Sequence, residues 1–372
     1  MPHPAWPSRT TGVVLAFLIL LAGIQLVIHL SWIARGPDNA VAHLTNDDTF
    51  YYLQTAWNLR ELGFTTFDGV HATNGVQLLW FWIVAGLAGI VPTKATLLTA
   101  VLGACAVLNL GGYVAIWQLG RRLGRPALTV FLALGWLYVN RQHYLLGMEN
   151  SLHAAVFWFV LVLAAVTVDR VLRRTATRPA ILLLTILLCT LVLVRVDSGL
   201  YAVLIGGVVF ALLLGQRPAA EHARRTIVTA GAIAAGAAAL LLASYYAMAG
   251  SVLPISGLIK QGEYAWSAET AARITLSGFE QSCAPLTAWH YLLPASARPA
   301  ADWLTAVALV ATAALILANR SYRAALHLRG FGFTCTVLAG ATAAHLVYLA
   351  GLRDYAIYGV WYLSPHLSLI HI

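Results

Sequence analysis

The sequence predicts an all-α integral membrane protein, and three observations carry that prediction. The 372 residues are 60% hydrophobic and 10% charged, with a mean hydropathy of +0.77. Apolar runs of a length suited to a bilayer recur along the chain, and the arginines fall in short clusters between them. An average soluble domain carries about a quarter charged residues, so a soluble enzyme, a disordered chain and a fibrous chain are excluded. The net charge of +9 does not point to nucleic acid, because basic clusters between apolar runs are the mark of positive-inside topology. The four cysteines do not make a disulfide framework. Cys105, Cys189 and Cys335 lie in apolar runs and Cys283 has no loop partner, so all four are expected to be free and structural.

The first apolar run, 12–33, exceeds a signal-peptide core and lacks a small-residue cleavage site, so it reads as a retained span. A polar stretch from Ala34 to Thr73 follows. Further apolar runs cover 76–92, 97–119, 126–140, 151–169, 179–194, 198–215, 226–244, 301–318 and 331–350. Counting every run as a crossing would put Arg121, Arg122 and Arg125 outside, against the positive-inside rule. The short run 76–92 carries Trp80 and Trp82, which favour the interface, so it reads as a helix lying on the outer surface. About nine spans remain, with the N-terminus cytoplasmic and the C-terminus outside. Of the 14 acids, only Asp169 and Glu221 then fall inside. The 37-residue run 179–215 would be about 55 Å as one helix, too long for a ~30 Å hydrocarbon core. Arg195-Val196-Asp197-Ser198-Gly199 interrupts it and marks an outer turn. The whole chain, 1–372, reads as one polytopic domain with outer loops at 34–96 and 245–300.

Polar groups gather on the predicted outer face. Asn46 is a good helix N-cap, and Asp47 and Asp48 suit the first turn of the helix it opens. Phe50, Leu53 and Trp57 share one face of that helix, and Gly63 ends it. The acid pair is either helix-end electrostatics or a carboxylate pair above the bilayer, able to act as a general base or to bind a divalent cation. Phe67-Asp68-Gly69-Val70-His71-Ala72-Thr73-Asn74-Gly75 contains two turn signals, and His71 alone is a weak ligand. Glu149 stands at the start of a span, with Arg141 and His143 before it; a carboxylate there is costly unless paired. Arg195 and Asp197 either pair to staple two spans, or Arg195 offers its fork of donors to a phosphate. Lys260 follows a span closely enough to meet an anionic headgroup, and Trp266, Trp289 and Tyr291 suit anchoring or sugar stacking.

These residues resemble the GT-C fold multi-pass glycosyltransferases, which take a sugar from a polyprenyl-phosphate carrier on the outer face of the membrane. The resemblance rests on Asn46-Asp47-Asp48 with Phe50-Tyr51-Tyr52 and Asn58-Leu59, then Thr73-Asn74-Gly75 with Trp80, Gly147-Met148-Glu149, Arg195-Val196-Asp197, and Tyr246, Leu253-Pro254 and Lys260. It spans about residues 12 to 365, and its order and topology look like the bacterial branch related to protein mannosyltransferases, lipid A aminoarabinose transferases and mycobacterial arabinofuranosyltransferases. The resemblance implies Asp47 or Asp48 as catalytic base and Glu149 as the second acidic point. It implies Lys260 and Arg195 on the donor phosphate, with Tyr51, Tyr52, His71, Asn74 and Asp197 about the substrate. It implies a bacterial inner-membrane enzyme with an extracytoplasmic site, whose partners are the bilayer, a polyprenyl-phosphate sugar and an acceptor of unspecified kind. No cofactor is required; Asp47, Asp48 and Glu149 would suit Mg²⁺ or Mn²⁺ as an oxygen-rich set. Two departures stand out. No proline precedes Trp80, and Trp361-Tyr362-Leu363-Ser364-Pro365 lacks the family's arginine. Relatives continue beyond this point, so a C-terminally truncated sequence is expected.

A secondary transporter or lipid flippase is the alternative. Transporters place ionisable groups and broken helices near the membrane midplane, whereas here the charges cluster at one boundary.

Overall fold

The computed structural model describes residues 8–124, 126–143, 146–214 and 220–255. All of them lie in Met1–Gly262, one of two units into which the chain divides. The expected spans 301–318 and 331–350, Cys283, Cys335, Lys260, Trp266, Trp289, Tyr291 and the 361–365 segment lie outside the described residues.

The described residues are all-helical. In chain order the helices are α1 Ser8–Ala34, α2 Pro37–Leu44, α3 Asp47–Leu62, α4 Leu78–Ile90, α5 Lys94–Leu123, α6 Pro126–His143, α7 Asn150–Leu172, α8 Arg178–Val194, α9 Gly199–Leu214 and α10 Ala220–Ala249. A 3₁₀ turn, Val196–Ser198, separates α8 from α9. An isolated antiparallel bridge joins Thr66 to Ala72.

Among the described residues, five stretches are long and apolar enough to cross a membrane: Arg9–Ala34, Lys94–Arg122, Asn150–Leu172, Val196–Leu214 and Arg224–Ala249. They mark a membrane-associated protein. Two further expected spans form helices of 18 and 17 residues, α6 and α8. At 1.5 Å per residue these reach about 25–27 Å.

Local chemistry explains the boundaries. Thr93 opens α5 with a capping box to Thr96, so the helix begins three residues before the apolar run at 97. The break in the long run 179–215 is real: α8 stops at Val194, and Arg195 is extended at φ −149° and ψ 119°. The polar stretch after α1 is not loop throughout, since α2 starts there with a proline in its first turn. α10 runs on to Ala249 with Tyr245 buried inside the bundle, so the loop expected from about 245 starts near residue 250.

α4 is the element that departs most from expectation. Its 13 residues make about 20 Å of helix, too short to span, as its length in the sequence suggested. Yet Trp80 does not sit at an interface. It is fully buried with Phe81 and Val84 in a core that also takes Tyr52, Ala56, Leu102, Val194 and Tyr245. Trp82, on the other face, is half exposed. Arg60 of α3 closes the far end of α4 by donating to the Ala88 carbonyl at 2.9 Å.

The two ends of this bundle differ in charge. Arg121 and Arg122 end α5, Arg170 ends α7, and Arg178 opens α8. Glu149 and Arg195 sit at the opposite ends of α7 and α8. α5 and α6 approach closely over glycine, for a Cβ at Gly112 would stand 2.4 Å from the Trp136 ring.

Candidate functional site

The site is built around the turn Leu146–Glu149 that leads into α7. Three successive carbonyls of this turn are each held by a different helix. Thr49 of α3 donates its hydroxyl to the Leu146 carbonyl. Trp80 of α4 donates Nε1 to the Gly147 carbonyl at 3.2 Å. The Cys105 thiol of α5 points to the Met148 carbonyl at 3.9 Å. Gly147 has φ +71° and lies so close to α3 that a Cβ would stand 2.6 Å from Thr49 Cγ2. Only glycine suits that backbone and that gap.

Glu149 is therefore aimed by its backbone. Its side chain is 5% exposed. Oε1 accepts from Arg195 Nη1 at 2.8 Å, while Oε2 is fully buried. The Tyr52 hydroxyl hydrogen-bonds to the carboxylate. That hydroxyl also accepts from the Gln77 amide at 3.1 Å. Burial pushes the Glu149 carboxyl above the ordinary carboxylate range, and the Arg195 charge opposes that rise. Burial likewise raises the Tyr52 phenol well above its usual value, and the Glu149 charge adds to the effect.

Arg195 ties this corner to the α8–α9 break. Besides Glu149 it donates to Asn150 Oδ1 at 3.2 Å, to Asp197 Oδ1 at 3.2 Å through Nε, and to Asp197 Oδ2 at 3.0 Å through Nη2. The guanidinium is 6% exposed and held by three side chains. Of the two readings of Arg195 and Asp197, the staple between helices is the one seen. Asp197 is occupied the same way and is 18% exposed. His153, one turn into α7, hydrogen-bonds Ser198 through Nε2 at 2.7 Å and fixes the same junction.

Asp47 and Asp48 stand on the first turn of α3, both exposed. Asn46 caps that turn: Oδ1 accepts from the Thr49 amide at 3.0 Å, and its own amide donates to Thr49 Oγ1 at 3.2 Å. Because Thr49 also holds the Leu146 carbonyl, the acid pair and the Glu149 turn share one residue as their hinge. They do not form a metal centre. Among the described residues, no three His, Cys, Asp or Glu side chains gather so as to hold an ion, so the set Asp47, Asp48 and Glu149 is not assembled for Mg²⁺ or Mn²⁺. On the face shared by Phe50, Leu53 and Trp57, Leu53 is buried, Trp57 packs partly buried against the core and Phe50 is 39% exposed; Thr49, Tyr52, Thr55, Ala56 and Asn58 are buried as well.

The remaining expected substrate contacts divide. Tyr51 hydrogen-bonds Thr73 at 2.7 Å and stacks on Phe67 at 5.0 Å. Asn74 is wholly buried and clamps the end of α10. Its Nδ2 donates to the carbonyls of Tyr245, Ser251 and Leu253 at 3.1, 2.8 and 3.2 Å, and its Oδ1 accepts from the Ile255 amide at 2.9 Å. No polar atom of that side chain is left for a substrate. His71 is 84% exposed and pairs with Asp68 at 2.7 Å. His71, its amide and the Val70 amide hold the Asp68 carboxyl well below the usual range.

Sequence reasoning missed Gln77, Asn150, His153 and Ser198 as parts of this corner. A signal existed for two of them: Asn150 follows Glu149 directly and His153 lies one helical turn on, over the same face. Nothing local marks Gln77, whose Oε1 accepts from the Val196 amide at 3.3 Å.

Comparison with known protein families, with curated proteins and with solved structures finds no match.

Proposed function

We propose that this protein is a membrane glycosyltransferase that moves a sugar from a polyprenyl-phosphate carrier to an acceptor hydroxyl on the extracytoplasmic face. The observation that supports this most is the buried Glu149 carboxylate. It is fixed by Arg195 and Tyr52, and its turn is tied through Thr49 to the helix turn that carries Asp47 and Asp48. A buried carboxylate whose turn is tied to an exposed acid pair suits proton handling at a hydroxyl. In this reading the architecture is GT-C like with about nine spans, an N-terminus in the cytoplasm and α4 lying along the outer interface.

The reaction is an inverting in-line displacement. The acceptor oxygen bonds to the anomeric carbon as the bond from that carbon to the phosphate oxygen breaks. The acceptor proton passes to Asp47 or Asp48, and polyprenyl phosphate leaves as the anion. Its departure needs positive charge more than a proton. Lys260 takes that role, since the Arg195 donors serve Glu149, Asn150 and Asp197. Arg195 acts as a positioning residue that holds Glu149.

The test is transfer of radiolabelled sugar from a panel of polyprenyl-phosphate donors in membranes carrying the protein. Wild type transfers one sugar, and Asp47→Asn with Asp48→Asn abolishes transfer while the protein stays folded. Full transfer by the double variant overturns the reading.

One observation favours the transporter or flippase instead. Gln25 and His29 of α1 are buried against α5, where Tyr113 donates to Gln25 Oε1 at 2.8 Å and His29 Nε2 donates to the Leu102 carbonyl at 2.9 Å. Gln25 Nε2, His29 Nδ1 and Asn109 Oδ1 are buried there without hydrogen-bond partners. Polar groups within spans mark substrate or proton paths. Flux of a lipid-linked sugar across proteoliposomes, lost in His29→Leu and intact in the Asp47/Asp48 double variant, would select this reading.

A further inference from the structure

At the end of the bundle away from Glu149, three arginines and an apolar cleft meet. Arg178 opens α8, and Arg224 and Arg225 lie near the start of α10; with Val228 and Thr229 they line a recess of about 280 Å³. All three arginines are exposed. Arg178 Nη2 donates to Thr229 Oγ1 at 3.0 Å, which sets the register of the two helices. A cleft of about 300 Å³ between α8, α9 and α10 begins beside this recess, at Ile181 and Ala230. It continues to Leu193 on α8 and Leu241 on α10, about 18 Å along the helix. Its wall is almost wholly apolar, with small residues on α10 that keep it open. Thr185 on the wall has its hydroxyl turned back to the Ile181 carbonyl at 3.0 Å, so it offers no donor to a polar guest.

The two features fit one occupant. Guanidinium forks match phosphate oxygens, and basic pockets between membrane helices hold anionic headgroups. The apolar cleft takes a hydrocarbon chain, which a free phosphate does not have. We propose that this groove binds one anionic phospholipid, with its phosphate on Arg178, Arg224 and Arg225 and an acyl chain between α8, α9 and α10. The site lies at the opposite end of α8 from Arg195 and does not depend on the catalytic reading.

The test is native mass spectrometry of the full chain, delipidated in detergent and then offered phosphatidylglycerol or phosphatidylcholine with the same chains. Wild type retains one phosphatidylglycerol at collision energies that strip phosphatidylcholine. At roughly fivefold per arginine, Arg178→Gln/Arg224→Gln/Arg225→Gln weakens retention about a hundredfold. Gly231→Leu fills the cleft and weakens retention with every arginine in place; a Cβ at Gly231 meets nothing within 4 Å, so the fold accepts it. Equal retention of the two lipids overturns the proposal. So does wild-type retention by the triple variant or by Gly231→Leu. Displacement of the lipid by millimolar inorganic phosphate alone would reduce the site to an anion site and overturn the lipid assignment. A polyprenyl phosphate that outcompetes phosphatidylglycerol there would overturn it as well.

Discussion

Gly147→Ala tests whether the acid pair and the Glu149 turn are joined as the structure has them. The substitution does two separable things. It places an alanine at φ +71°, which costs about 1–2 kcal/mol for an L-residue. It also drives a Cβ to 2.6 Å from Thr49 Cγ2, where carbon atoms settle near 3.5–4.0 Å. Thr49 is fully buried and its hydroxyl is bonded to Asn46 and to the Leu146 carbonyl, so it cannot turn aside without losing the cap. Overpacking of this kind costs about 1–3 kcal/mol, for a total of about 2–5 kcal/mol. Thr49→Ser removes Cγ2 and keeps the hydroxyl. In that background Gly147→Ala should cost only its backbone share of about 1–2 kcal/mol. The assay is SDS-driven unfolding in mixed micelles for wild type, both single variants and the double. The reasoning is refuted if Gly147→Ala costs the same in both backgrounds to within about 0.5 kcal/mol, the limit for independent sites.

Four other outcomes follow from the same corner and its loop. Arg195→Met strands a buried carboxylate, so it should destabilise the protein by about 3–5 kcal/mol; adding Glu149→Gln should recover part of that in the same unfolding assay, and an unchanged midpoint in the single variant contradicts the buried pair. Asn74→Leu removes every partner of the Ile255 amide and of the Leu253 and Ser251 carbonyls that the side chain supplies, at about 2–3 kcal/mol; hydrogen exchange should quicken at Ile255, and no change there rules out the clamp. Asp68 has a depressed carboxyl, so its ionised form stabilises the 66–72 turn above the ordinary carboxylate pKa, and that contribution is lost only as pH falls through the lower folded value. Protection of the Val70 and His71 amides should therefore persist at pH 3, and a transition near pH 4 counts against the pairing. Glu149 is raised instead, so if its ionisation governs sugar transfer the acid limb should lie above the ordinary carboxylate range and move in Glu149→Gln; an unmoved limb belongs to another group.

Much of the fold was legible because it follows from short-range physics. Asn46 and Gly63 bound α3 as expected, since a cap and a left-handed stop depend on a few neighbouring atoms. The break at Arg195 was legible because a charge inside a 37-residue apolar run has no place in a hydrocarbon core. Trp80 was misplaced because tryptophan suits both an interface and a packed core, and only the Gly147 carbonyl, 67 positions away, decides between them. Asn74 looked like a substrate contact because its polar side chain sits in a turn. Its partners on 245–255 could not be seen without the fold.

Sequence alone determined the solvent, the helical class and most helix ends, because apolar content, run length and capping residues act through neighbours along the chain. Tertiary structure decided which polar residues are struts and which remain open. Arg195 takes Glu149 and Asn150, 46 and 45 positions away, besides Asp197 two residues on, and Asn74 takes partners at least 171 positions away, while Asp47 stays exposed. A hydrogen-bond partner is a matter of a few tenths of an ångström between distant segments, and that distance exists only once the helices have packed.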